Sequence, residues 1–200
     1  IQTADYGYGL EGLLHHRHHE LNGIINGIDV EVWNPETDPR IAQNYGIDSL
    51  AKKAGNKAAL QQHFSLPEEP ATPLIGLIGR LVDQKGIDLV IDCLDELINY
   101  PVQFVLLGSG EKGFEHRLKN LSYLYPDKIS VSIGYNEDLA HMIEAGSDMF
   151  LMPSRFEPCG LNQLYSQRYG TLPIVRKTGG LTDTVVDAMP DTIKDKTASG

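Results

Sequence analysis

An acidic residue near the carboxyl end of the chain lies between two glycine-bearing turns. Glu157 belongs to the run RFEPCGL, in which Gly160 precedes a predicted helix, and two further glycines follow in residues 177–181 (KTGGL). Pro158 excludes helical geometry at Glu157 and so places this carboxylate in a turn. Such a carboxylate can accept hydrogen bonds from sugar hydroxyls and stabilise positive charge at an anomeric carbon. The run indicates a pocket for a phosphorylated sugar; the alternative is that Glu157 caps a helix or pairs with Arg155.

Two cations lie five positions apart in an earlier strand-to-helix turn. Arg80 ends a predicted strand, and Lys85 lies at the start of the next helix. The backbone N–H groups of that helix start add further affinity for anions. In a chain of net charge −10, two cations in one turn predict a binding site for a diphosphate. The alternative is that both are surface cations, solvated or paired with Asp83 and Asp88.

Three other patterns have weaker functional interpretations. Residues 108–113 (GSGEKG) fit the dinucleotide pattern G-x-G-x-x-G, but they belong to a middle βα unit, which favours a simple tight turn. Cys159 has no identifiable His or Asn partner, which favours packing over a nucleophilic role. Residues 15–19 (HHRHH) have histidines four apart without an accompanying carboxylate or cysteine pattern, which disfavours a functional metal site.

Composition restricts the class of protein. The chain of 200 residues is 41% hydrophobic and 22% charged, which is typical of a globular protein. Its net charge of −10 argues against a general surface for nucleic acid or anionic membranes. Its two cysteines, Cys93 and Cys159, form no metal-ligand spacing and favour a reducing, intracellular setting. No apolar run is long enough to span a bilayer. Because the chain starts at Ile1 rather than Met, we interpret it as a fragment.

The order of predicted elements indicates an α/β fold. Repeated βα units with short turns imply a Rossmann-like parallel sheet flanked by helices on both faces, and ligands of such sheets bind beyond the carboxyl ends of the strands. Residues 1–72 are interpreted as an interdomain connector with lead-in helices, one of them at 49–64, and residues 73–200 as the Rossmann-like ligand-binding domain. Strands are predicted at 74–78, 102–107, 129–133, 149–152 and 172–175, and helices at 87–98, around 114–121, 137–145, 161–169 and 181–187.

Together these motifs resemble those of bacterial glycogen synthases and plant starch synthases. The resemblance covers essentially the whole chain in order: residues 26–29 (NGID), 33–35 (WNP), 79–80 (GR), 84–86 (QKG) and, most specifically, 153–161 (PSRFEPCGL). It implies a retaining glucosyltransferase that moves glucose from ADP-glucose to the non-reducing end of an α-1,4-glucan. It further implies that the chain is the C-terminal, nucleotide-sugar-binding half of a GT-B fold. The N-terminal GT-B domain, with its K-x-G-G-L loop, is then expected before Ile1.

The resemblance also implies roles for individual residues. Arg80 and Lys85 match the pair that binds the diphosphate and stabilises the leaving ADP, and Glu157 matches the acidic residue near the donor glucose. Position 165 carries a second Glu in many related retaining enzymes but is Tyr165 here, so no second carboxylate is assigned. Residues 177–181 correspond to an internal copy of K-x-G-G-L, to which we assign no catalytic lysine.

Six further residues are implied to bind the donor. Residues 160–162 match the turn and helix start that receive the distal phosphate, and Tyr135 matches an aromatic residue that packs near the adenine. The donor-binding candidates are Asn26, Tyr135, Cys159, Gly160, Leu161 and Asn162.

The implied chemistry requires no metal or other cofactor, because two cations and helix dipoles can neutralise the diphosphate. The implied partners are ADP-glucose or ADP, an α-1,4-glucan acceptor and the missing N-terminal domain, with no nucleic acid and no membrane. The expected location is the cytoplasm of a bacterium or the stroma of a plastid. Two alternatives stay open: another GT-B transferase that uses a UDP-sugar or resembles sucrose synthase, and a non-catalytic glucan-binding module.

Overall fold

Five parallel strands form the centre of the molecule in a computed structural model that describes all 200 residues. The strand order is β3-β2-β1-β4-β5, so β1 is central and pairs with both β2 and β4. The predicted parallel sheet is therefore confirmed. The strands are β1 (Leu74–Leu81), β2 (Gln103–Gly110), β3 (Ile129–Ile133), β4 (Met149–Met152) and β5 (Leu172–Val175).

Helices cover both faces of the sheet, as predicted. Along β1, Ile75 and Leu77 pack into a core with helices α4 and α5, whereas Leu74 packs into a second core with α3, α6 and α8. This alternation follows from the two-residue period of a strand. The helices are α1 (Ala4–Gly7), α2 (Glu11–His16), α3 (Lys53–His63), α4 (Ile87–Leu97), α5 (Lys112–Leu124), α6 (Glu137–Gly146), α7 (Asn162–Arg168), α8 (Gly179–Thr184) and α9 (Pro190–Lys194).

The structure differs from the predicted elements at several places. The single helix predicted at 49–64 is wrong at its start: Ile47–Lys52 form a 3-10 turn, and α3 begins only at Lys53. The Ser49 hydroxyl accepts a hydrogen bond from Gly46 N at 3.0 Å, and such side-chain bonds compete with α-helical geometry. The last predicted helix lies at Gly179–Thr184 rather than 181–187, and no range was predicted for α1, α2 or α9. Strands β1 and β2 each end three residues later than predicted. The domain division at residue 72 stays a prediction.

A buried polar cluster joins the N-terminal segment to α6. The Asp38 carboxylate lies 2.7 Å from His141 Nδ1 and accepts a hydrogen bond from the Tyr169 hydroxyl at 2.6 Å. The Tyr45 hydroxyl donates to Tyr169 O at 2.7 Å, and Trp33 stacks on the His141 ring with centroids 3.8 Å apart. The Asp38 cluster, as we call Asp38, Tyr45, His141 and Tyr169, holds residues 33–45 against the sheet domain.

None of the helices has the length and apolar character needed to cross a membrane.

Glu144, a fully buried carboxyl group on α6, makes stability depend on pH. Neither side-chain oxygen has a hydrogen-bond partner, and burial raises its pKa well above the ordinary value although nearby Lys53 opposes this. Above the ordinary carboxyl pKa the unfolded chain binds fewer protons than the folded one, so this group lowers stability as pH rises toward its folded pKa. We expect Glu144→Gln to be more stable than the parent by ~1 kcal/mol or more at neutral pH.

Urea denaturation of both proteins between about pH 4 and pH 7 measures this effect, and the advantage of the variant should grow across that range. The control is Glu137→Gln, because Glu137 is exposed at the start of the same helix. A difference between Glu144→Gln and the parent that does not change with pH would contradict the expectation.

Candidate functional site

A cavity of about 460 Å³ opens at the carboxyl ends of β1 and β4. These strands are neighbours in the sheet, so the turns that follow them face the same space. The structure brings together there eight of the nine site residues predicted from sequence: Asn26, Arg80, Lys85, Glu157, Cys159, Gly160, Leu161 and Asn162.

Glu157 and Lys85 form an ion pair in the wall of this cavity. The Glu157 residue is only 7% exposed, and its carboxylate also accepts a hydrogen bond from Ser154 Oγ at 3.3 Å. Lys85 reaches it from the 3-10 turn Asp83–Lys85, which follows β1. A buried carboxylate is retained only where cations and donors compensate its desolvation, which makes this pair a fixed charged feature of the site.

The alternative pairing of Glu157 with Arg155 is wrong. Arg155 instead makes two parallel hydrogen bonds to Asp88 on α4, of 2.6 Å to Oδ1 and 2.5 Å to Oδ2. The hydrogen bonds from Arg155 lower the pKa of Asp88 to about 2. Arg155 also contacts Asp83, with 3.2 Å between NH1 and Oδ1. Arg155, which follows β4, therefore binds the segment after β1, and Glu157 pairs with Lys85 instead.

Arg80 forms no ion pair with a carboxylate. The guanidinium donates a 3.4 Å hydrogen bond to Gln84 Oε1, while Asp83 and Asp88 are bound by Arg155. The alternative in which Arg80 pairs with these aspartates is therefore wrong. Its positive charge stays uncompensated at the cavity and is available to an anionic ligand.

Gln84, which the sequence analysis missed, joins the two charged turns. Its side-chain nitrogen Nε2 donates to Phe156 O at 2.9 Å, and its backbone carbonyl accepts from Arg155 N at 2.8 Å. Gly86 permits the close approach, because a Cβ there would lie 2.4 Å from Pro153 O, and its φ of +69° favours glycine. The turn that carries Lys85 and the loop that carries Glu157 therefore form one connected unit. The available signal was the motif Q-K-G, of which Gln84 is the first residue.

The loop after Glu157 presents backbone groups to the cavity. Gly160 has a φ of +77°, which favours glycine, and α7 begins two residues later. Asn162 donates from Nδ2 to Ile78 O at 3.1 Å and so joins the start of α7 to the end of β1. Cys159 donates from Sγ to Gly160 O at 3.1 Å, a local contact that fits packing rather than a nucleophile with a base.

Tyr135 lies outside the main cavity. It is 87% exposed and lines an adjoining cavity of about 260 Å³. The two cavities share Arg80 and Asn162 in their walls. Tyr165, at the position where relatives carry a second Glu, stacks on Trp33 with ring centroids 3.7 Å apart and does not line either cavity.

The other motifs singled out in the sequence lie outside the main cavity. A Cβ on Gly179 would lie 2.1 Å from Glu157 O, and Gly180 N donates to that oxygen at 3.1 Å, so residues 179–180 support the Glu157 loop from behind. Lys177 lines a separate cavity beside β5. In the 108–113 motif, a Cβ on Gly108 would lie 2.1 Å from Gly79 O, so this glycine permits close strand packing. The histidines of 15–19 are exposed.

Comparison with known proteins gives consistent matches along the whole chain. Over its full length the chain is 56% identical to glycogen synthase 1 of Methylococcus capsulatus and covers 41% of that protein. It is 54% identical to glycogen synthase of Nitrosospira multiformis and covers 40% of it. The catalytic domain of starch synthase IV from Arabidopsis thaliana, solved with ADP and acarbose, is 40% identical, with a TM-score of 0.90 over the whole chain and 41% of that domain. The chain thus spans about two fifths of these relatives.

A more distant structure shares only the fold. The C-terminal domain of a group 1 glycosyl transferase from Francisella tularensis is 19% identical with a TM-score of 0.56, and 85% of each chain is covered. The five-stranded sheet is the C-terminal Rossmann-like domain of a GT-B fold. The family model of glycosyl transferases group 1 matches residues 59–197, well over half of the chain. The protein therefore belongs to the group 1 glycosyl transferases.

Proposed function

We propose that this chain is the donor-binding part of a glucosyltransferase that moves glucose from ADP-glucose to the non-reducing end of an α-1,4-glucan with retention. The observation that carries the proposal is the Lys85–Glu157 ion pair in a cavity that also contains Arg80. The glycogen synthase relatives and the starch synthase solved with ADP and acarbose support this choice of donor and acceptor.

In this proposal the cations bind the part of the donor whose negative charge increases during transfer. As the bond between the glucose and the diphosphate breaks, charge develops on the ADP oxygens, and preorganised cations stabilise it at little reorganisation cost. Arg80 supplies an uncompensated guanidinium, and Lys85 a second cation held in place by Glu157. Backbone N–H groups of residues 160–162 receive the distal phosphate. No step assigned to these residues requires a metal ion.

Glu157 acts on the sugar side of the same bond. Its buried carboxylate is paired with Lys85 in the cavity wall, and its proposed role is to stabilise the positive charge that develops at the anomeric carbon. Tyr165 stacks on Trp33 outside the cavity, and no second carboxylate stands at that position. Retention is therefore proposed to occur by attack of the acceptor on the same face as the departing ADP.

The other parts of the proposal concern partners and location. The acceptor glucan and an N-terminal domain complete the cleft, and Asn26 and Tyr135 contact the donor from the edges of the two cavities. The protein acts in the cytoplasm of a bacterium or in a plastid stroma. The isolated chain is expected to be inactive, because half of the cleft is then absent.

Donor preference separates the proposal from its enzymatic alternative. In the full-length protein, we expect transfer to maltoheptaose from ADP-glucose to exceed transfer from UDP-glucose by about tenfold or more in kcat/KM, since specific contacts with the base discriminate the donors. Initial rates with each donor measure this ratio. A preference for UDP-glucose would favour another GT-B transferase, and glucan binding without transfer from either donor would favour a binding module.

A further inference from the structure

Gln163 lies fully buried beneath the turn that precedes α7 and is not part of the cavity wall. Its side-chain nitrogen donates to Cys159 O at 3.0 Å and to Gly160 O at 3.1 Å. The same nitrogen lies 3.1 Å from Thr184 Oγ1 on α8. One amide group therefore holds two consecutive carbonyls of the turn and joins them to the neighbouring helix.

The two hydrogen bonds to the carbonyls of Cys159 and Gly160 also fix the direction of the N–H groups in the same two peptide units. All peptide bonds of the chain are trans, and in a trans peptide the N–H points away from the C=O of the same unit. Because the carbonyls of Cys159 and Gly160 point down to Gln163, the N–H groups of Gly160 and Leu161 point to the cavity side of the turn. Neither N–H donates to any acceptor within the protein.

The arrangement leaves an unpartnered atom on Gln163 itself. Both carbonyl contacts require a donor, which assigns the nitrogen to the turn, and the buried side-chain oxygen has no hydrogen-bond partner. It lies where a Cβ on residue 160 would be 2.4 Å away, so the amide packs directly under Gly160. Buried polar atoms normally have partners, and an apolar side chain of similar size would avoid this one. The hydrogen bonds donated by the side-chain nitrogen therefore account for a glutamine at position 163.

We propose that Gln163 is a positioning residue that directs the N–H groups of Gly160 and Leu161 at the distal phosphate of the nucleotide. The inference rests on the function proposed above and assigns one part of the donor to one turn. Without the amide donor, Cys159 O loses its partner and Gly160 O keeps only the weak Cys159 Sγ donor, and Gly160 has the backbone freedom to rotate its peptide groups. Contacts with the distal phosphate are lost, whereas contacts with the base, ribose and first phosphate are kept.

The test compares two nucleotides in the full-length protein carrying Gln163→Met. Calorimetric titration should show binding of ADP weakened by about tenfold or more, because hydrogen bonds to a charged group are lost, while the Kd for AMP changes less than about twofold. The matched control is Gln167→Met, four residues later on α7. Gln167 also donates to Thr184, at its backbone oxygen, 3.0 Å away, but makes no hydrogen bond to the turn. This control should bind both nucleotides as the parent does.

Equal weakening of ADP and AMP, or no weakening, would overturn the assignment. If the parent protein binds no ADP, the proposed function itself fails. If Gln163→Met does not fold, hydrogen exchange of the parent decides: the amides of Gly160 and Leu161 should exchange more slowly with ADP than with AMP. Equal exchange with the two nucleotides would overturn the inference.

Discussion

Replacing Lys85 by Met is expected to lower kcat of the full-length enzyme by about 10²–10³-fold, the cost of removing one preorganised donor from a charge-stabilising site. Two effects combine. The cavity loses one of the two cations proposed to face the diphosphate, and Glu157, which is 7% exposed, loses the ammonium group that compensates its buried charge. Steady-state rates with ADP-glucose and maltoheptaose measure the loss. Arg80→Ala and Glu157→Gln should cause losses of similar order.

Two further variants separate chemistry from folding. Lys112→Met removes another Lys–Glu ion pair, with 2.7 Å between Lys112 Nζ and Glu115, but this pair lies on α5 and the lysine is exposed. Its activity should stay within about twofold of the parent, because neither residue of this pair lines the cavity. The double variant Lys85→Met/Glu157→Gln removes the unpaired buried charge and should regain stability without regaining activity. Near-parental turnover of Lys85→Met would contradict the assignment of the site.

The largest loss of stability is expected from Asp38→Ala. Asp38 is 1% exposed, and its removal leaves the Tyr169 hydroxyl and His141 Nδ1 buried without their partner. His141 Nε2 already lacks a partner, so the ring would have none for either nitrogen except the 3.4 Å contact with Tyr169. Leaving a buried hydrogen-bonding group unsatisfied costs about 1–3 kcal/mol, and two such groups lose their partner here, so the expected total is about 2–6 kcal/mol. Urea denaturation should show a loss in this range.

The matched control for Asp38 is Asp138→Ala. Asp138 forms an ion pair with Arg40, with 3.0 Å between its Oδ1 and Arg40 Nε, but its side chain is 76% exposed. An exposed ion pair contributes about 0–1 kcal/mol, so this variant should unfold close to the parent. If Asp38→Ala is destabilised no more than Asp138→Ala, the Asp38 cluster does not hold the N-terminal segment to the domain.

The alternation of strands and helices was predictable because it depends on local patterns. The apolar runs of β1 and β2 and the spacing of Ile87, Val90, Ile91 and Leu94 in α4 are properties of neighbouring residues. Motifs at strand ends were likewise predictable as parts of one edge. The adjacency of Arg80 and Glu157 depends on the pairing of β1 with β4, although β2 and β3 lie between them in the sequence.

Contacts between polar residues far apart in the sequence could not be predicted. His141 meets Asp38 across 103 positions, and Tyr169 meets it across 131, with no local pattern to signal either. Arg155 is next to Phe156 and Glu157 in sequence, yet its guanidinium binds Asp88 because the folded geometry places that carboxylate in reach. Gln163 appears in the sequence as an ordinary helix residue. Its role depends on the direction of two peptide groups, which only the folded turn defines.

Chain-length analysis of a maltooligosaccharide incubated with ADP-glucose and the full-length protein tests the central claim most directly. The account predicts products longer by successive single glucose units, each joined by an α-1,4 bond at the non-reducing end, with one ADP released per unit. The Glu157→Gln variant should give almost none of these products. An acceptor of unchanged length, or elongation by Glu157→Gln at the parental rate, would contradict the account.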